Sequence, residues 1–150
     1  MARIRSIKPD FFRHEGLQDL EKANPGNYTM LVFAGLWTLS DKLGQFEWKP
    51  RQIHLDLLPF ITFEMEATLG LLEEAGLVAR YEVCGKQYGV ILTFKDHQRI
   101  SGKENTDPPR FPSASPVLPK TMPREAVGNP EGSTGEALGT LRGSIFYNNK

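Results

Sequence analysis

Side chains that could meet nucleic-acid phosphates fall in four places along the sequence. The first group is Arg3, Arg5, Lys8 and Arg13, opposed within residues 1–13 by Asp10 alone. Arg3 and Arg5 alternate on a stretch ahead of the first predicted helix, and basic arms of this kind reach into a minor groove. Lys49 and Arg51 flank Pro50 at the predicted start of a helix, where unpaired backbone amides also favour an anion. Lys86 stands at the predicted tip of a hairpin. Lys95, His97, Arg99 and Lys103 follow it, with Asp96 the one acid among them. The chemistry would be phosphate neutralisation, which is insensitive to base sequence and weakens with salt. Each residue alone reads equally as a solvated surface charge. Their grouping at the two ends of one predicted domain is what favours a shared ligand.

The acidic residues behave differently. Residues 62–75 carry Glu64, Glu66, Glu73 and Glu74 and no basic side chain. On a helix over this stretch the outward positions are Phe63, Ala67, Gly70 and Glu74. Duplex DNA presents about one negative charge per 1.7 Å of axis, so these carboxylates would repel it. The face also lacks the Arg, Lys, Asn or Gln that read base edges. Phe63, Glu64, Glu66, Ala67, Gly70 and Glu74 instead offer a surface for another protein, or a plain solvated face.

Catalytic arrangements are hard to find. Gly85-Lys86 and Gly102-Lys103 lack the upstream glycine and the following Ser or Thr of a phosphate loop. His14, His54, His97 and Cys84 match no zinc spacing. Ser40-Asp41 and His54/Asp56 have no glycine-framed nucleophile beside them. Glu73 and Glu74 diverge by about 100° around a helix. The expectation is a protein that is not an enzyme, with no cofactor and no metal.

Eighteen Lys and Arg balance eighteen Asp and Glu, so the chain is not uniformly basic as an indiscriminate nucleic-acid binder would be. The charge is segregated instead. The longest apolar runs fall far short of the roughly 20 residues that cross a bilayer. No apolar stretch follows Met1–Arg5, so neither a membrane partner nor a secretory signal is expected. Cys84 is the single cysteine, which suits a reducing cytoplasm.

Several elements would position these side chains. Pro9 and Asp10 suit the first turn of a short helix. Asn24-Pro25-Gly26 is a turn, after which Asn27 is expected to cap a long helix with Met30, Phe33, Leu36, Trp37, Ser40 and Leu43 on one face, ended by Gly44. Gln45 to Trp48 reads as a short extended piece. Pro50 opens a second helix that Pro59 stops, and Thr62 is expected to cap a third that Gly76 ends. Ala79, Tyr81 and Val83, then Tyr88, Val90 and Leu92, alternate as two strands. A turn at Gly85-Lys86 would pair Val83 with Tyr88, Tyr81 with Val90 and Ala79 with Leu92, as a type II′ hairpin. This order predicts an α+β winged helix-turn-helix, a three-helix core with a hairpin wing, over residues 1–104. Residues 105–150 are expected to form a disordered tail. Seven of the eleven prolines follow Ser101, and no apolar periodicity survives there.

Three stretches resemble bacteriophage replication-initiation, or replisome-organiser, proteins, which are distantly similar to the N-terminal part of DnaD-like primosome proteins. These stretches are Ala2–Phe12, then Phe33–Thr38 with Asp41, Gly44 and Trp48–Gln52, and finally Arg80–Val83 with Phe94 and His97-Gln98. Together they span residues 2 to about 104. The resemblance implies a DNA-binding module of replication initiation or primosome assembly in an infected bacterial cell. DNA would be its ligand, and a replicative helicase or its loader, or a second copy, its protein partner. Nothing after residue 104 resembles a helicase-contacting domain.

Overall fold

The computed structural model describes residues 2–114, which belong to one packed unit. The chain is mixed α and β. An extended arm leads to a 3-10 turn at Pro9–Arg13 and a helix α1 at Glu15–Ala23. Two apolar side chains, Leu17 and Leu20, are all that anchor α1. His14 caps it, its Nδ1 accepting the Leu17 amide at 3.1 Å. Burial lowers the pKa of this imidazole, which keeps Nδ1 free to accept.

Helix α2, Thr29–Leu39, is the spine of the core: Val32, Phe33, Leu36 and Trp37 are all buried. Its cap is not Asn27. Tyr28 precedes the helix in a left-handed conformation, and Glu21 reaches across from α1 to accept from the Thr29 hydroxyl and the Met30 amide. The helix also stops short of the expected Gly44. From Ser40 the chain turns around Asp41, whose Oδ1 accepts the amides of Leu43 and Gln45. An aspartate that bonds the backbone ahead of it competes with helix continuation. Gly44 still has a structural task. Its φ is +79°, and a β-carbon there would lie 2.7 Å from Cβ of Phe94.

Strand β1, Gln45–Glu47, is followed by α3 (Pro50–Leu57) and α4 (Met65–Glu74). Glu64, not Thr62, occupies the cap position of α4, without a side-chain cap bond. Strands β2 (Val78–Val83) and β3 (Lys86–Ile91) complete an antiparallel sheet in the order β1-β3-β2. The hairpin pairs Val83 with Lys86, Tyr81 with Tyr88 and Ala79 with Val90. The turn residues are therefore Cys84 and Gly85, with φ of 52° and 80°. Positive φ at both central positions makes this a type I′ turn, not the expected type II′, and both types suit the strand twist. Moving the turn back by one residue shifts every partner by two. A two-residue shift preserves the face, so Tyr81 and Tyr88 still lie together, ring centroids 5.5 Å apart.

Beyond the sheet come two single-turn helices that the sequence pattern gave no sign of, α5 (Phe94–His97) and α6 (Lys103–Thr106). Side-chain bonds then hold residues 110–114 to the body, so the packed unit continues past residue 104. The rest of the expected tail lies outside the described residues.

Candidate functional site

The arm is fastened to the segment that follows the hairpin. The Arg3 amide donates to the Thr38 carbonyl at 2.7 Å. Gln98 is buried and holds Ser6 at both backbone groups, accepting its amide at 3.2 Å and donating to its carbonyl at 2.6 Å. The Lys8 amine donates to the Asp96 carbonyl at 2.7 Å. These bonds lay Arg3 and Lys8 alongside residues 95–103, which present Lys95, Arg99 and Lys103 as exposed side chains. Arg3 and Lys8 of the first basic group thus share one strip with the last group, the exposed Asp96 among them.

Two members of that strip are structural. Arg5 is 5% exposed in its side chain and uses its whole guanidinium. Nε donates to the Trp37 carbonyl, one terminal nitrogen to the Ser40 carbonyl, and both terminal nitrogens grip the Glu104 carboxylate at 2.9 Å. It therefore closes the C-terminal end of α2 and is withdrawn from any phosphate. Glu104 is held below the usual carboxylate range, first by its hydrogen bonds to Arg5, with burial opposing and Arg5, Arg3 and Arg110 adding charge attraction. His97 stacks on Trp37 at 4.9 Å and meets Phe33 edge-on. Burial there, with the nearby charges of His14 and Lys8, pushes its pKa down to about 4. It is neutral at pH 7 and so offers a phosphate no charge. Arg3 is divided: its Nε lies 3.2 Å from Glu104, and its side chain is still 41% exposed.

The remaining basic candidates lie elsewhere. Arg13 pairs locally with Asp10 in solvent. Lys86 sits at the opposite end of β3 from α5. The Trp48 amide donates to the Gln87 carbonyl there, which brings Lys49 and Arg51 toward the same end of the sheet. Lys49 is partly neutralised by Glu47 at 3.6 Å.

On α4, Glu64, Glu66, Ala67 and Glu74 are exposed, and a β-carbon on Gly70 would meet nothing within 4 Å. Phe63 is not part of this outward face. It is half-buried between Tyr28 and His54, with centroid distances of 5.2 and 4.7 Å. Glu73 is taken by Arg80 at 3.0 Å, while the Arg80 guanidinium lies over the Trp48 ring at 4.3 Å. The expected acidic helix face is present, with Phe63 removed from it and Glu73 paired.

Sequence reasoning passed over Gln98, Glu104, Asp41 and Gln45, the residues that fix these surfaces. Gln98 and Glu104 meet partners 92 and 99 positions away, and Asp41 and Gln45, besides bonding each other, reach residues 111 and 114, so no local spacing marked these ties. Among the described residues no cluster of His, Cys, Asp and Glu has the makings of a metal site, and no helix is long and apolar enough to cross a membrane. A cleft bounded by Phe46, Lys49, Gln52, Ile53, Arg110 and Phe111 measures about 110 Å³. Small-molecule sites usually occupy roughly 300–1,000 Å³. No family model matches the chain, and no curated protein or solved structure matches it either.

Proposed function

We propose that this chain is a non-enzymatic DNA-binding module of bacteriophage replication initiation or primosome assembly, built as a winged helix with β2 and β3 as its wing. The observation that carries the DNA reading is the clamp of Gln98 on Ser6, which sets Arg3 and Lys8 beside Lys95, Arg99 and Lys103. Five basic side chains on one strip neutralise phosphates in a way that their scatter along the sequence would not. The acidic α4 then lies outside the contact, unlike the recognition helix of an ordinary helix-turn-helix. The resemblance in Ala2–Phe12 supports the replication setting.

The test is a titration of labelled duplex DNA at two salt concentrations, with Lys95, Arg99 and Lys103 replaced together by Ala. Binding should weaken alike for all duplex sequences, and the salt dependence should flatten. Unchanged affinity in the folded triple variant overturns the reading. A second reading, a protein adaptor, has one observation in its favour: Phe60, just ahead of α4, is 97% exposed near the outward Glu64 and Glu66. Retained binding of a phage or host protein after the triple change, lost on replacing Glu64, Glu66 and Glu74, favours that adaptor.

A further inference from the structure

Asp41 and Gln45 are each 2% exposed, an unusual depth for a carboxylate and an amide on the edge of a small sheet. Part of their bonding is internal. Asp41 Oδ1 organises the turn before β1, and Oδ2 accepts from the Gln45 amide group at 3.0 Å. The rest is spent on residues 110–114. Asp41 Oδ2 accepts the Phe111 amide at 3.1 Å. Gln45 Nε2 donates to the Phe111 carbonyl at 3.2 Å, and its Oε1 accepts the Ala114 amide at 2.8 Å. The Tyr81 hydroxyl donates to the Pro112 carbonyl at 2.9 Å. Burial, then the charges of Asp41 and Tyr88, raise its pKa, so it remains a donor.

Each of these main-chain groups is met by a side chain, and none by a neighbouring strand or helix turn. Main-chain groups met in a fixed register, with pockets for the side chains between them, are how a protein grips a short peptide, here one bent at residues 110, 111 and 114. The side chains of the segment supply selectivity. The Phe111 ring lies 6.2 Å from Tyr88, Pro112 requires no amide partner, and Ala114 is buried. Pro108 and Pro109 form a stiff lead from α6 into the segment.

We propose that Asp41, Gln45 and Tyr81 form a peptide-binding site for a bent Arg-Phe-Pro-x-Ala sequence, filled in cis by residues 110–114 and open to exchange with the same peptide in trans. When the segment leaves, Asp41 Oδ2 and Gln45 Oε1 lose partners in a buried setting, and this drives rebinding. Tethering places the cis copy at an effective concentration on the order of millimolar, so a free peptide competes poorly until the cis copy is weakened.

The experiment uses the full chain and a fluorescent peptide with the sequence of residues 108–114. Phe111→Gly with Ala114→Glu releases the cis segment. Anisotropy should show the released chain binding the peptide at least tenfold more tightly than the unaltered chain. Adding Gln45→Leu, or using a peptide with Phe111→Ala, should abolish that binding. A folded released chain that ignores the peptide, or binds both peptides equally, overturns the proposal. Hydrogen exchange on the unaltered chain covers the case where the released chain fails to fold. The Phe111 and Ala114 amides should exchange at least tenfold faster than the amide of Ile91, because the segment opens without the sheet. Equal rates make it an ordinary part of the core and reject the site.

Discussion

The basic strip and the acidic face of α4 carry opposite charge, and they also differ in how the charge is held. The strip is assembled from two ends of the described chain, and some of its charges hold it together: Arg5 and Glu104 are bound to each other and to the end of α2. The α4 carboxylates stand at the two ends of one helix, and Glu64, Glu66 and Glu74 are exposed. A charge that is structural and one that is available look alike in the sequence. Arg5 and Arg99 are both arginines in short basic runs, but only Arg99 presents its side chain to solvent.

The sharpest way to break this contrast is Arg5→Ala. It leaves the Glu104 carboxylate with only the half-exposed Arg3 at 3.2 Å and uncaps the carbonyls of Trp37 and Ser40. Removing one partner of a buried ion pair costs about 3–5 kcal/mol, and urea unfolding should show a loss of that order. Glu66→Gln on α4 should stay within about 0.5 kcal/mol by the same measurement. An Arg5→Ala loss below about 1 kcal/mol would place Arg5 with the free charges.

Acid comes next in size. Folded, His97 stays neutral down to about pH 4; unfolded, it takes a proton near the ordinary histidine value of 6.5. Its contribution is therefore complete above pH 6.5 and is lost as pH falls from 6.5 to about 4, by roughly 3 kcal/mol at most. Glu104 acts in a lower window. Its folded pKa is depressed below 4.5, so its contribution holds above pH 4.5 and disappears as pH falls through the folded value. Urea midpoints measured at pH 7, 5 and 3.5 should show both losses. His97→Phe should reduce the upper one to the part contributed by His14, whose pKa burial also lowers, and leave the lower. A flat midpoint between pH 7 and pH 4 in the unaltered chain contradicts the buried placement of His97.

How far the sequence revealed these features depended on distance along the chain. Helices α2, α3 and α4 and the hairpin were legible because their signals are local: apolar spacing in Phe33, Leu36 and Trp37, Pro50 at a first turn, Gly76 after a last one. Helix α1 was faint, since Leu17 and Leu20 make too sparse a stripe. The cap of α2 was misread because Glu21 supplies it from the preceding helix, and its end because Asp41 diverts the backbone. For the site, Lys95, Arg99 and Lys103 were found from composition. What could not be read was which basic residues are already committed, because Arg5 finds Glu104, and Ser6 finds Gln98, only after the chain has folded.

The DNA measurements sharpen the comparison with smaller effects. Replacing Lys95, Arg99 and Lys103 by Ala should weaken duplex binding roughly tenfold at low salt, about 1.4 kcal/mol. The slope of log affinity against log salt should fall by up to about 2.7 for three phosphate contacts. An unchanged slope with weaker binding would mean that these side chains act without touching phosphate. Smallest of all should be Glu64, Glu66 and Glu74 replaced together by Gln. Relieved repulsion should strengthen binding at low salt and fade to less than twofold near 0.15 M, where screening acts over about 8 Å. A gain that persists at that salt would bring α4 into contact with the duplex.

The clasp between Arg5 and Glu104 also sets an order of events during synthesis. The arm is made well before its partners: Gln98 and Glu104 follow the residues they hold by 92 and 99 positions. At about 5–20 residues per second the arm waits roughly 5–20 s for them. Through that interval a nascent chain has its basic residues but no strip, and α2 has no guanidinium over its last carbonyls. The surface proposed to meet DNA is therefore not yet assembled on the unfinished polypeptide.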